Sequence, residues 1–140
     1  MKASPETRDE IKNVLDKYFE SYLKGQLDDV ITHYSPEPDT TLINSGLEEK
    51  QIGRENIRSR IEQSLNQKEK ITSLKYHNLM VSEKDTVAWI SSDLEARLAW
   101  EDQEINLMLR LTGVFVKEKN NWLITQMHSS APFTMEKHED

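Results

Sequence analysis

Cysteine is absent from this 140-residue chain, and glycine and proline occur only four times each. The missing cysteines exclude disulfide bonds, thiolate metal sites and cysteine nucleophiles, and they fit a reducing cytosol. No phosphate-binding glycine loop, Gly-x-Ser-x-Gly elbow or dinucleotide fingerprint occurs. The first residues lack the apolar segment of a signal peptide, and no apolar run approaches transmembrane length. We therefore expect a cytoplasmic protein.

Clusters of basic residues are also missing, since 18 Lys and Arg residues stand against 25 Asp and Glu residues and the net charge is -7. Phosphate groups are bound by concentrated basic surfaces, so neither nucleic acid nor an anionic membrane is an expected partner. The four histidines, His33, His77, His128 and His138, lack the short spacing of metal ligands. We expect no metal and no cofactor.

The length predicts one domain over residues 1–140, large enough to bury a core of its own. With 36% hydrophobic and 31% charged residues, the composition is typical of a soluble globular protein with a well-solvated surface. We place the core of the domain at about residues 7–130. Met135 to Asp140 is expected to be a frayed tail.

Three segments near the N-terminus have apolar residues at helical spacing. The first helix begins after Ser4, an N-cap residue followed by Pro5, and ends at Gly25. A short second helix begins at Leu27 and stops before residues 35–39, which contain two prolines. The third helix is marked by Ile57, Ile61 and Leu65.

The second half of the chain has the alternation of β-strands. A short strand, Thr40 to Ile43, precedes the third helix, and helices segregated from a mostly antiparallel sheet define the α+β class. A curved sheet with the first helix across its hollow would enclose a cavity. The four long predicted strands are Ile71 to Val81, Thr86 to Leu98, Ile105 to Val116 and Trp122 to Ser130.

The last two of these strands form a predicted hairpin that is apolar on both faces, so we expect each face to be covered by other protein or by a ligand. One face suits the core and cavity, and the other is large enough for a subunit interface. A β-bulge would shift this assignment locally. With a two-residue turn at Asn120-Asn121, strict alternation places on one face Leu111, Gly113, Phe115, Trp122, Ile124, Gln126 and His128.

Short groups of residues from about Thr7 to Ser130 resemble SnoaL-like domains of the nuclear transport factor 2-like superfamily. The groups are Tyr18 to Gly25 before Leu27-Asp-Asp-Val30, Gly53-Arg54 with Ile57, Val87-Ala-Trp89, Arg110-Leu-Thr112, and Trp122-x-Ile124 with His128 and Ser130. This resemblance implies a cone-shaped domain with three N-terminal helices on a curved sheet, usually dimeric through that sheet. The superfamily includes enzymes of several kinds and plain binding proteins, so resemblance alone identifies no activity.

The resemblance also bears on Tyr18, which corresponds to the tyrosine that donates to a developing oxyanion in ketosteroid isomerases. The position of their catalytic base falls near Asn44, and that of their second acidic donor near Gly113. Neither residue can perform that acid–base chemistry. Steroid isomerisation by the isomerase mechanism is therefore not expected.

The candidate catalytic residues are His128, Asp93 and Tyr18. His128 would act as base or acid, Tyr18 as hydrogen-bond donor, and Asp93 would orient the imidazole if its strand face is the hollow one. Alternatively, His128 is a structural residue bonded to a backbone carbonyl or a hydroxyl. The predicted pocket residues, of which the tyrosines and tryptophan could equally be core filler, are Tyr22, Tyr34, Trp89, Leu111, Phe115 and Gln126.

Two functions follow from these residues. The first is binding of a small, largely apolar organic molecule in the cavity of a homodimer, with proton transfer of the isomerase, dehydratase or cyclase type if the protein is an enzyme. The second is a non-catalytic dimeric binding or interaction module. The sequence does not decide between them.

Overall fold

A computed structural model describes residues 1–46 and 48–132 of the chain, and the predicted tail at 135–140 lies outside the described residues. Within this part of the chain, helices at the N-terminal side pack on one curved six-stranded sheet, which confirms the predicted cone-shaped α+β fold. The elements are α1 (Pro5–Leu23), α2 (Leu27–Thr32), β1 (Thr41–Ile43), β2 (Lys50–Ile52), α3 (Arg54–Leu65), β3 (Lys70–Lys84), β4 (Val87–Trp100), β5 (Gln103–Glu118) and β6 (Asn121–Ser130).

Helix α1 begins and ends where its capping residues predict. The Ser4 side chain accepts a hydrogen bond from the backbone N–H of Thr7 at 3.1 Å, and Pro5 occupies the first turn. Gly25, with φ at +70°, takes the left-handed conformation just after the helix. No helix in the described ranges combines the length and apolarity that crossing a membrane requires.

The strand order in the sheet is β2-β1-β6-β5-β4-β3. All neighbouring pairs are antiparallel except β1 and β6, which run parallel. The sequence did not predict β2, because its three residues lie in a polar stretch that has no alternating pattern. Strand β2 depends on pairing with β1, in which Leu42 lies opposite Gln51.

The turn between β5 and β6 lies one residue earlier than predicted. Lys119 and Asn120 are the turn residues, with φ values of 49° and 66°, and Glu118 faces Asn121. Two consecutive residues with positive φ are typical of the type I′ turns that join twisted strands. The predicted turn at Asn120-Asn121 is therefore wrong by one position.

Strand β6 contains a β-bulge at Thr125. Val114 of β5 pairs with Gln126, whereas the next residue, Phe115, pairs with Ile124, so Thr125 is the extra residue. After the bulge, Met127 lies on the inner, concave face with Ile124. Gln126 and His128 lie on the outer face. The predicted grouping of these two polar residues with Phe115 is therefore wrong.

The core lies between the inner face of the sheet and the three helices. Its largest fully buried side chains include Tyr34, Phe115, Ile11 and Leu15. At one edge, the Trp122 indole donates to the Glu10 carboxylate at 2.6 Å and thereby joins β6 to α1. Toward the other end, the sheet and helices diverge and leave a cavity between them.

Candidate functional site

The cavity has a volume of about 490 Å³ and lies between α1, α3 and the inner face of the sheet. Its sheet wall is almost entirely apolar and includes Leu94, Ala96, Leu107, Leu109, Leu111 and Met127. Polar groups come mainly from the helices and from the loop between β1 and β2. The cavity therefore offers an apolar body with polar groups along one side, the usual composition of a small-molecule site.

Two tyrosines form a hydrogen-bonded pair at the closed side of the cavity. The hydroxyl oxygens of Tyr18 and Tyr34 are 2.5 Å apart, and their rings meet edge to face with centroids 5.6 Å apart. Tyr18 lines the cavity, whereas Tyr34 is completely buried behind it. If Tyr34 donates to Tyr18, the Tyr18 O–H can donate to an acceptor in the cavity.

Burial keeps both of these phenols neutral. Removal from water raises the pKa of Tyr18 to about 12, and burial likewise raises the pKa of Tyr34 well above its ordinary value. Tyr18 can therefore donate a hydrogen bond at neutral pH but holds its own proton firmly.

A second group of neutral polar side chains lies toward the rim. The Tyr22 hydroxyl is 2.5 Å from the Ser64 hydroxyl, which joins α1 to α3. The Ser129 hydroxyl donates to the side-chain oxygen of Asn44 at 2.8 Å, which joins β6 to the loop after β1. All four residues line the cavity.

One ion pair contributes to the cavity wall. Arg60 Nε and Nη2 donate to the two oxygens of Glu49 at 2.8 and 2.9 Å, and this bidentate contact raises the pKa of Arg60. The third guanidinium nitrogen, Nη1, is buried without a hydrogen-bond partner among the described residues. Because Glu49 balances Arg60 and Glu69 adds a further carboxylate, the wall carries no net positive charge.

The predicted pocket residues and the predicted catalytic residue Tyr18 fall into three groups. Tyr18, Tyr22 and Leu111 line the cavity. Tyr34 and Phe115 are fully buried in the core. Trp89 and Gln126 lie on the outer face of the sheet, where they line a separate groove.

The two remaining predicted catalytic residues, His128 and Asp93, also lie on the outer face. In β4 the buried residues are Ala88, Ile90, Ser92, Leu94 and Ala96, so alternation turns Asp93 outward. Its carboxylate accepts a hydrogen bond from Asn78 at 2.9 Å. Within the described chain, no hydrogen bond joins Asp93 to His128, and neither reaches Tyr18. The predicted catalytic set is therefore not assembled in one place.

Sequence reasoning did not single out the Arg60–Glu49 pair. The sequence contained a signal for Arg60. One helix face shows the i, i+3, i+4, i+7 spacing at Ile57, Arg60, Ile61 and Ser64. Glu49 lies in an irregular segment that has no period, so its position could not be inferred. No group of three histidine or carboxylate side chains in residues 1–46 and 48–132 is arranged to hold a metal ion.

Comparisons with known proteins agree on the fold. The family model described as the SnoaL-like domain matches residues 11–134. No curated protein matches the sequence.

Several solved structures superimpose over most of their length. An NTF2-like protein of unknown function from Pseudomonas putida is 18% identical, with a TM-score of 0.80 over 95% of this chain and 92% of that one. A ketosteroid isomerase-like protein from Erwinia carotovora atroseptica is 12% identical, with a TM-score of 0.75 over 94% of this chain and all of that one. An NTF2-like protein from Cytophaga hutchinsonii is 13% identical, with a TM-score of 0.72 over 89% and 98%.

At these identities the solved structures establish similarity of fold and leave activity open. The family model, in contrast, covers nearly the whole chain, including all the helices and strands that surround the cavity apart from the first turns of α1. This protein belongs to the SnoaL-like domain family.

Proposed function

We propose that this protein binds a small, largely apolar organic molecule with a neutral oxygen acceptor, such as a ketone, in the cavity between sheet and helices. The observation that carries the proposal is the meeting of apolar sheet residues with the buried hydroxyl of Tyr18 in a space of about 490 Å³. Small-molecule sites commonly have volumes of about 300–1,000 Å³ and few polar groups. Burial of the apolar surface would supply affinity, and Tyr18 would fix the orientation.

The charges of the wall favour a neutral ligand over a carboxylate. Arg60 is already neutralised by two short hydrogen bonds to Glu49, so a ligand anion would have to compete with that carboxylate. Glu69 would repel the same anion. A carbonyl oxygen meets neither obstacle and can accept from the Tyr18 hydroxyl.

If the bound molecule is turned over, the reaction that fits this cavity is proton transfer at a carbon next to the carbonyl. Tyr18 would then stabilise negative charge that develops on the oxygen. Glu69 lines the cavity and could take the proton, whereas both oxygens of Glu49 already accept hydrogen bonds from Arg60.

Binding is tested by thermal denaturation of the purified protein with neutral ketones and with the matching carboxylic acids. A ligand at about 100 times its Kd stabilises the native state by about 2.7 kcal/mol, which raises the melting temperature measurably. We expect ketones to stabilise more than acids. Tyr18→Phe should weaken ketone binding about tenfold, because it removes one hydrogen bond.

The matched control for this experiment is His128→Ala, on the outer face. It should bind ketones as the parent does. No stabilisation by any compound would refute the proposed binding, and loss of binding in His128→Ala but not in Tyr18→Phe would place the site elsewhere.

We also propose that the outer face of the sheet forms a homodimer. A groove of about 480 Å³ on that face is lined by residues including Trp89, Val114 and Gln126, and Met80 beside them is 66% exposed. Apolar side chains left uncovered on a sheet are typical of protein contact surfaces. The same interface would be present if the protein is a non-catalytic dimeric binding module, because it does not depend on chemistry in the cavity.

The dimer is tested by light scattering over a range of protein concentrations. We expect the parent to be dimeric and Met80→Asp to be monomeric, because a charge would be buried at the contact. Ile52→Asp, at another exposed apolar residue outside the outer-face groove, is the control and should remain dimeric. A parent that stays monomeric at all concentrations would contradict the proposal.

A further inference from the structure

An apolar surface continues from the cavity wall along the far end of the β4–β5 hairpin. It consists of Leu98, Trp100, Ile105 and Leu107, called the hairpin patch below. Trp100 is 43% exposed, Ile105 42% and Leu107 39%, which is unusual for large apolar residues gathered at one place. Leu107 also lines the cavity, so the patch and the cavity share a wall.

The register of the two strands places the hairpin patch on the inner face. Strands β4 and β5 pair without a break from Val87 opposite Val116 to Trp100 opposite Gln103. Directly paired residues share a face, and faces alternate along each strand. Leu94 and Ala96 line the cavity, so Leu98 and Trp100 follow them on the same side. Ile105, opposite Leu98, continues the same surface on β5.

The charges around the patch limit what can cover it. Glu101 and Asp102 form the turn at the tip of the hairpin, immediately after Trp100 in the chain, whereas Glu104, opposite Ala99, lies on the outer face. Carboxylates in this position repel anionic lipid headgroups and ligand carboxylates alike. An uncharged apolar chain is free of this repulsion and would remove the patch from water.

We propose that the hairpin patch binds the apolar tail of an elongated, uncharged amphiphile whose carbonyl or hydroxyl head lies in the cavity. The inference rests on the proposed function and specifies the ligand class for the same site. Ile105 on the patch lies four positions before Leu109, which lines the cavity, and this offset corresponds to about 13 Å of strand. The ligand is therefore a long-chain neutral molecule whose tail extends out of the cavity onto the hairpin patch.

The experiment is calorimetric titration of the full chain with linear methyl ketones of increasing chain length. For the parent, the Kd should fall about fourfold for each methylene that is buried, and the fall should continue for chains that extend past the cavity. The double variant Trp100→Ser with Ile105→Ser should bind short ketones as the parent does. Its Kd should stop improving once the chain leaves the cavity.

The control variant is Met108→Ser, because Met108 lies on the same strand, is 54% exposed and faces the opposite side. It should keep the parent's dependence on chain length. A parent Kd that levels off at short chains would overturn the inference, as would a double variant with the parental dependence. Dissociation of an oligomer in the double variant, with chain-length dependence intact, would identify a second copy as the occupant and also overturn it.

This design separates the two proposals. Absence of binding for ketones of every length counts against the proposed function itself. Binding of short ketones that depends on Tyr18, without further gain from longer chains, leaves the proposed function in place and removes the hairpin patch from the site.

Discussion

The folded protein is expected to lose at least about 3 kcal/mol of unfolding free energy between about pH 10 and pH 12. The cause is the buried pair formed by Tyr18 and Tyr34, whose hydroxyl oxygens are 2.5 Å apart. Burial raises the pKa of Tyr18 to about 12 and raises the pKa of Tyr34 as well. Domains of this size are stable by about 5–15 kcal/mol, so the loss is a large share of the total.

The direction of the effect follows from proton binding. An exposed tyrosine in the unfolded chain has a pKa of about 10, so the unfolded state loses its phenolic protons above that pH while the folded state retains them. The state that binds fewer protons, here the unfolded chain, becomes more stable relative to the folded protein as the pH rises. The contribution of Tyr18 to stability is therefore complete below about pH 10, and it is lost progressively as the pH approaches its folded pKa.

The pKa of Tyr18, about 12, lies two units above the ordinary value, and this difference corresponds to about 2.7 kcal/mol of unfolding free energy. The raised pKa of Tyr34 adds to this amount. The hydroxyl of Tyr76 donates to Asp16 at 2.7 Å, and burial, followed by this carboxylate, raises the pKa of Tyr76 to about 12. Water surrounds much of the Tyr76 side chain and screens this interaction, so its contribution should be smaller.

The measurement is denaturant unfolding at a series of alkaline pH values, with tyrosinate absorbance recorded in parallel. The double variant Tyr18→Phe with Tyr34→Phe should show a much flatter decline, because it lacks the two buried protons. Stability that falls equally steeply in parent and double variant would contradict the assignment and point to other groups.

The overall fold could be predicted because its signals are local. Ser4 and Gly25 mark the ends of α1 through hydrogen bonding and backbone conformation that depend on neighbouring residues only. The long strands show alternation, and a hairpin turn joins β5 to β6. The fold is still predicted correctly when the predicted bounds of an element are wrong by one or two residues.

The arrangement of the site could not be predicted with the same success, because it depends on side-chain direction and on distant contacts. Counting by twos from Ile124 placed Gln126 and His128 inside, and one extra residue at Thr125 turned both outward. The bulge has no sequence signal here, since Thr125 is a common strand residue. Arg60 in α3 forms an ion pair with Glu49, which lies just before β2. The residues next to each of them in the sequence give no signal for that contact.

The bulge can be tested directly by introducing the same charge at two adjacent positions. Met127 is 3% exposed, whereas Gln126 is exposed on the outer face. We expect Met127→Asp to destabilise the protein by about 4 kcal/mol or more at neutral pH, because burial opposes ionisation by about three pKa units or more. Measured on the monomer, where the proposed outer-face contact makes no contribution, Gln126→Asp should change the unfolding free energy by less than about 0.5 kcal/mol.

The pH dependence distinguishes a buried charge from simple loss of packing. In Met127→Asp, burial raises the pKa of the introduced carboxyl group above its unfolded value, so the destabilisation should shrink as the pH falls and the group becomes neutral. Met127→Asn, of similar size but uncharged, should show a smaller loss without this dependence. If β6 alternated strictly after Ile124, residue 126 would be inside and the two aspartate substitutions would exchange their effects. Denaturant unfolding of the three variants at neutral and acidic pH therefore decides on which face each half of β6 lies, and with it whether His128 can reach the cavity.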